Sequence, residues 1–199
     1  MLNNKYSKGV IFSCIAAIFW GLPQPLFFNE LNHVDTIEVV AHRGFWSFIF
    51  LFLILILISN ISDLIEIFKS RKRIFILTIT AFLIAGNWAG FIYSVGQERV
   101  QDASMGYFIT PMISIILGYF FLNEKITKPK FASVCFMLSG ILFLFINLNQ
   151  FPFLIIWIGT SWAIYGLLRK QVNVNPPIGL LYETFIISLI STPYLVYLF

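Results

Sequence analysis

An all-α, polytopic bundle of transmembrane helices is predicted by three features of this chain. It is 59% hydrophobic and only 11% charged, with a mean hydropathy of +0.87. It divides into seven long apolar runs, and its basic residues fall in alternate connections between them. A water-soluble domain carries roughly 25% charged residues to cover its exterior. This chain lacks that cover, whereas a surface rich in Phe, Ile and Leu suits hydrocarbon. The net charge of +4 is spread between the apolar runs and forms no basic face, which argues against nucleic acid as a partner.

A spanning helix needs about 20 mostly apolar residues. The runs lie near Gly9–Phe28, Thr36–Ile58, Ile74–Gly96, Ala103–Leu122, Phe131–Ile146, Pro152–Leu168 and Ile178–Phe199. The fifth and sixth are the shortest, with a turn at Phe151 and Pro152. The first follows Lys5 and Lys8 as a signal peptide would. Its length, Pro23 and Pro25, and the lack of a small-residue cleavage site mark it as a retained helix. Eleven of the thirteen Lys and Arg residues lie before the first run or after the second, fourth and sixth. By the positive-inside rule the N-terminus is cytoplasmic and neighbouring helices are antiparallel. The last run ends at Phe199 with no polar tail, so the chain is expected to be incomplete or to find helical partners elsewhere. Cys14 and Cys135 lie in separate apolar runs with no metal-ligand spacing, and are read as buried free thiols.

Several runs depart from a plain lipid-facing helix. The second contains Glu38, His42 and Arg43. Glu38 and His42 are i,i+4 neighbours on a face that Trp46 continues, with Arg43 beside it. An Arg in mid-membrane costs roughly 2.5–3.5 kcal/mol unless it meets a polar interior, a partner or water. The cluster is read either as a substrate- or proton-handling site or as an Arg that snorkels to the interface. Glu183 sits about five residues into the seventh run. Burial disfavours its charged form, so it is either a proton carrier or a carboxylate that reaches the headgroups.

Gly86 and Gly90 in the third run form a GxxxG spacing, read as helix packing. Asn87 between them bonds either to a neighbouring helix or to a substrate. Beside it stands Trp88. The fourth run holds Tyr107, Thr110 and Pro111; the proline cannot bond the Tyr107 carbonyl and should bend the helix. Trp20 and Gly21 precede Pro23, Gln24 and Pro25, a second break with an aromatic beside a polar group. Helix breaks with polar groups at depth are how transporters build substrate sites. The candidate site is therefore Trp20, His42, Arg43, Trp46, Asn87, Trp88 and Tyr107 for a substrate, with Glu38, His42 and Glu183 for proton coupling. Breaks at Pro23, Pro25 and Pro111 would let helices rock.

Further stretches carry a resemblance. They are Ala17-Ile18-Phe19-Trp20-Gly21, the run from Glu38 to Ser47, the run from Ala85 to Phe91, and the run from Ala103 to Pro111. The others are Leu117-Gly118 with Phe121 to Lys125, and Tyr165 to Lys170 followed by Glu183-Thr184. Together they resemble the EamA family of the drug/metabolite transporter superfamily, in its RarD-type branch. Glu124 resembles that family's Gly-Glu-Arg pattern at a helix end, with Asn123 and Lys125 in place of the Gly and Arg. The resemblance implies ten helices in two five-helix repeats of inverted topology. Residues 1–150 would form the first repeat, and 151–199 the first two helices of a truncated second.

The expected function is a secondary transporter, a permease or exporter of a small metabolite or drug-like molecule in the bacterial inner membrane. Expected partners are that substrate, membrane lipid and a proton or other coupling ion, with a homodimer left open. No cofactor, metal or catalytic residue is expected. The competing readings are an inactive fragment or helical interaction partner and, with only Glu38 and His42 to support it, a membrane-embedded enzyme. HExxH and GxSxG motifs are absent from the sequence.

Overall fold

The computed structural model describes residues 4–58, 65, 67–146 and 152–198. Eight α-helices lie among them: α1 (Asn4–Gly21), α2 (Pro23–Glu30), α3 (Thr36–Ile58), α4 (Arg71–Gly96), α5 (Val100–Leu122), α6 (Lys128–Ile146), α7 (Phe153–Val172) and α8 (Pro176–Leu198). Strands are absent among the described residues. Each apolar run of the sequence falls on a helix. The repeat boundary expected at Gln150, the turn residue Phe151 and the terminal Phe199 lie outside the described residues.

Local chemistry sets the helix ends. Pro23 opens α2 and, with Pro25, lacks the N–H that would continue α1, so α1 and α2 form one bent span broken at Leu22. Asp35 precedes α3 and takes the Ile37 N–H on its side chain at 2.8 Å. Ser70 caps α4 by accepting from the Arg73 N–H. Asn123 and Asn173 end α5 and α7 in the left-handed conformation that Asn tolerates, with φ of 53° and 49°. Pro111 and Pro193 lie inside α5 and α8, which run on as α-helix through them.

Among the described residues, five spans are long and apolar enough to cross a membrane: Ser7–Glu30, Thr36–Leu57, Arg71–Gly96, Val100–Leu122 and Pro176–Leu198. The helices outside this set are α6 and α7, of 19 and 20 residues. α7 interrupts its apolar run with Thr160, Ser161 and Tyr165 and ends on Arg169 and Lys170. Its interior position explains the polarity: α7 packs against both α5 and α4, while α8 lies against α3 and α4.

α5 and α7 cross in close contact. A Cβ on Gly159 would stand 2.7 Å from the Gly106 carbonyl oxygen, and one on Gly106 2.8 Å from Ile158 Cβ. The Gly86/Gly90 pair does serve packing, but what it receives is a side chain. Trp157 of α7 lies over both glycines and donates from its indole N–H to the Gly86 carbonyl at 2.9 Å. The cysteines correct the sequence reading: Cys14 and Cys135 are exposed, because α1 and α6 lie at the edge of the bundle.

Candidate functional site

Arg43 projects from α3 toward α2 and α4. Its guanidinium carbon is 4.2 Å from the Trp88 ring centroid and 5.4 Å from that of Phe28. Such a stack is worth about 2 kcal/mol when desolvated. The Arg43 Nη1 is buried and meets no hydrogen-bond acceptor among the described residues. Beside it opens a groove of about 500 Å³, lined by Phe28, Leu31, Glu38, His42, Arg43 and Trp46 among others. Glu38 and His42 are half-buried in it, and Trp46 is exposed at its rim.

Asn87 is fully buried on α4. Its amide nitrogen donates to the Ile158 carbonyl and to Ser161 Oγ, both at 3.0 Å. Its amide oxygen accepts from the Tyr107 hydroxyl at 2.9 Å. Asn87 thus ties α4 to α5 and α7. The Tyr107 ring lies 4.7 Å from Trp20 and 6.4 Å from Trp162, and those two tryptophans are 5.8 Å apart. Trp162 in turn stacks on Tyr165 at 5.1 Å with planes 15° apart. Thr110 donates to the Gly106 carbonyl at 3.2 Å and toward Gly159 at 3.4 Å, so it does not meet the Tyr107 carbonyl that Pro111 frees.

Glu183 is fully buried on α8. Its Oε1 accepts from Thr80 at 2.6 Å and its Oε2 from Tyr165 at 3.1 Å. The Arg169 Nε is 3.6 Å from Oε1, and the Arg169 Nη2 donates to the Pro176 carbonyl at 3.1 Å. Gly179 makes room for this guanidinium, since any Cβ there would overlap it. A buried carboxylate persists when it is paired and hydrogen-bonded, and here side chains from α4 and α7 meet it.

Arg43, Trp88, Tyr107, Trp20 and Asn87 therefore come together. His42, Glu38 and Trp46 line the groove on the same side, and Glu183 belongs to a separate knot. Thr80 and Trp162 escaped the sequence reading; Tyr165 and Arg169 entered it in a stretch that carries the family resemblance, and Arg169 also as an orientation charge, but neither as a partner of Glu183. A signal existed: Ser161, Tyr165 and Arg169 repeat every four residues and share one face of α7.

Outside the spans, Lys170 donates to Glu124 at 2.5 Å, and Lys130 stands 3.8 Å from the same carboxylate. The Lys170 hydrogen bond and charge, with help from Lys130, hold the Glu124 carboxyl below its ordinary range. Glu124 folds back over Gly118, so it joins the end of α5 to the end of α7. Among the described residues no group of three or more His, Cys, Asp or Glu could hold a metal ion.

Apolar spans long enough to cross a bilayer, packed around buried polar knots, define an integral membrane protein. The model of the EamA-like transporter family matches residues 7–146, and the chain belongs to that family. It is 32% identical over 188 residues to Protein RarD of Escherichia coli (strain K12), covering 94% of this chain and 63% of that protein. It is 31% identical over 191 residues to an uncharacterized transporter of Vibrio cholerae, covering 96% and 63%. To the uncharacterized transporter YojE of Bacillus subtilis (strain 168) it is 30% identical over 200 residues, covering 99% and 67%. The chain thus spans a little under two thirds of the length of the first two relatives. No solved structure matches it.

Proposed function

We propose that this chain is the substrate-binding part of a secondary transporter that moves a small metabolite or drug-like molecule across the bacterial cytoplasmic membrane. The observation that carries this reading is a run of polar and aromatic side chains through an apolar bundle. It leads from Arg43 on Trp88 through Tyr107, Asn87 and Trp162 to Tyr165 and Glu183. Polar and ionisable side chains at such depth are costly and commonly mark the path of a polar solute or ion. The substrate would enter the groove at Arg43. His42 and Glu183 would carry protons, with Glu38 at the groove mouth. The bend at Pro23 and Pro25 and the proline in α5 would let α1 and α5 move.

In this reading the N-terminus is cytoplasmic, residues 1–150 form one five-helix repeat and 151–199 begin a second, inverted one. No reaction is assigned to the chain. A helix partner, in the same polypeptide or in a second copy, would close the groove. The test is untargeted metabolite uptake and export in cells expressing this chain, alone and extended by the remaining helices of a relative. A solute whose gradient changes with either form supports the reading. If neither form moves any solute while both insert in the membrane, the reading is wrong.

A further inference from the structure

Arg43 is set apart from the other charged groups at or near the bundle interior. Glu183 is met by Thr80, Tyr165 and Arg169. Arg169 also has a buried Nη1 without an acceptor, but its Nε and Nη2 are tied to Glu183 and Pro176. At the helix ends Asp102 pairs with Arg99, and Glu124 with Lys170. Arg43 has aromatic rings near its guanidinium, but its buried Nη1 meets no oxygen among the described residues. A guanidinium has donors only, in a planar fork matched to a carboxylate. Leaving one buried without an acceptor is costly.

The groove beside Arg43 narrows the ligand further. Its other lining includes Phe27, Phe28, Leu31, Val34, Val39 and Trp46, so the body of the ligand meets apolar and aromatic surface. Its volume of about 500 Å³ suits a small organic molecule. Glu38 lines the same groove and would repel a second negative charge.

We infer that the groove binds a compact organic monoanion, a carboxylate on an apolar ring-sized body, with the Arg43 guanidinium as its counter-charge and Glu38 as the filter against dianions. This rests on the transporter reading for its biological meaning, yet it concerns binding and is tested without transport. The ligand's carboxylate would pair with Arg43 where that side chain lines the groove. Its body would lie against Phe28 and Trp46.

The experiment is equilibrium binding to the 199-residue chain in lipid nanodiscs, followed by tryptophan fluorescence. Five probes share or lack the deduced features: phenylacetate, its neutral isostere phenylacetamide, the cation 2-phenylethylammonium, the dianion phenylmalonate, and acetate, which has no ring. Saturable binding of phenylacetate, at least about tenfold tighter than each of the others, is expected. Arg43→Gln should remove that preference for phenylacetate over phenylacetamide. Glu38→Gln should narrow the gap between phenylacetate and phenylmalonate. Should Arg43→Gln fail to insert, the probe series on the unaltered chain and on Glu38→Gln decides alone.

Equal binding of the amide, preference for the ammonium or the dianion, or no saturable binding by any probe overturns the inference. Phenylacetate binding without transport of any solute would sink the transporter reading and leave this one standing. Transport of some solute with no phenylacetate binding would do the reverse.

Discussion

Arg169 and Glu183 lie close together in the interior, and removing either leaves the other as an unmet charge or donor. Arg169→Gln should therefore destabilise the bundle by about 3 kcal/mol, since breaking a buried pair from one side is strongly unfavourable. The double change Arg169→Gln with Glu183→Gln should recover much of that loss, because no charge is then stranded. Denaturant titration of the single and double variants in micelles measures this, and additive losses would show that the pair does not interact. Asn87 is a contrasting residue. Its amide is committed to Ser161, Tyr107 and the Ile158 carbonyl, so it orders three helices and holds Tyr107 in place beside Trp20. A substrate reaches it only by displacing one of those partners. The sequence left its role open, and only geometry distinguishes the two possibilities.

At the scale of helices, the close approach of α5 and α7 rests on Gly106 and Gly159. Gly159→Ala should loosen this crossing and cost about 1–3 kcal/mol, as overpacked sites do. Gly140→Ala in α6 meets nothing within 4 Å and should be neutral or slightly stabilising. Thermal unfolding of the two variants separates these outcomes, and equal shifts would contradict the packing. The end of α5 carries a second, pH-dependent contact. The Glu124 carboxyl is held below its ordinary range by Lys170 and Lys130. Its contribution is therefore present above the unfolded value and lost as pH falls through the folded one. Glu124→Gln should slightly lower the melting temperature at neutral pH and have no effect in acid. A larger effect in acid would reverse the sign and refute the pairing.

Helix positions were legible because apolar runs of about twenty residues, and breaks such as Pro23 and Pro25, are local signals. Helix faces were not. A membrane helix is apolar nearly all round, so periodicity does not separate the face toward the core from the face toward lipid. That is why Cys14 and Cys135 were misplaced, and why Thr80 passed unnoticed and Tyr165 was not placed beside Glu183.

For the whole molecule, an apolar exterior surrounds two polar knots joined by aromatic rings. One, at Asn87 and Tyr107, braces the bundle beside the Arg43 groove; the other, at Glu183, locks α4, α7 and α8 together. The family match and the named relatives agree with a transporter-type bundle. The groove on α2 and α3 is the feature that a second set of helices would close over a solute. Its decisive element is Arg43, and the decisive measurement is transport of whichever solute the unaltered protein moves, repeated with Arg43→Ala at matched membrane abundance. Loss of at least about 90% of the flux, roughly a tenfold drop, is expected. Full transport by a well-inserted Arg43→Ala protein would contradict the placement of the substrate site at Arg43.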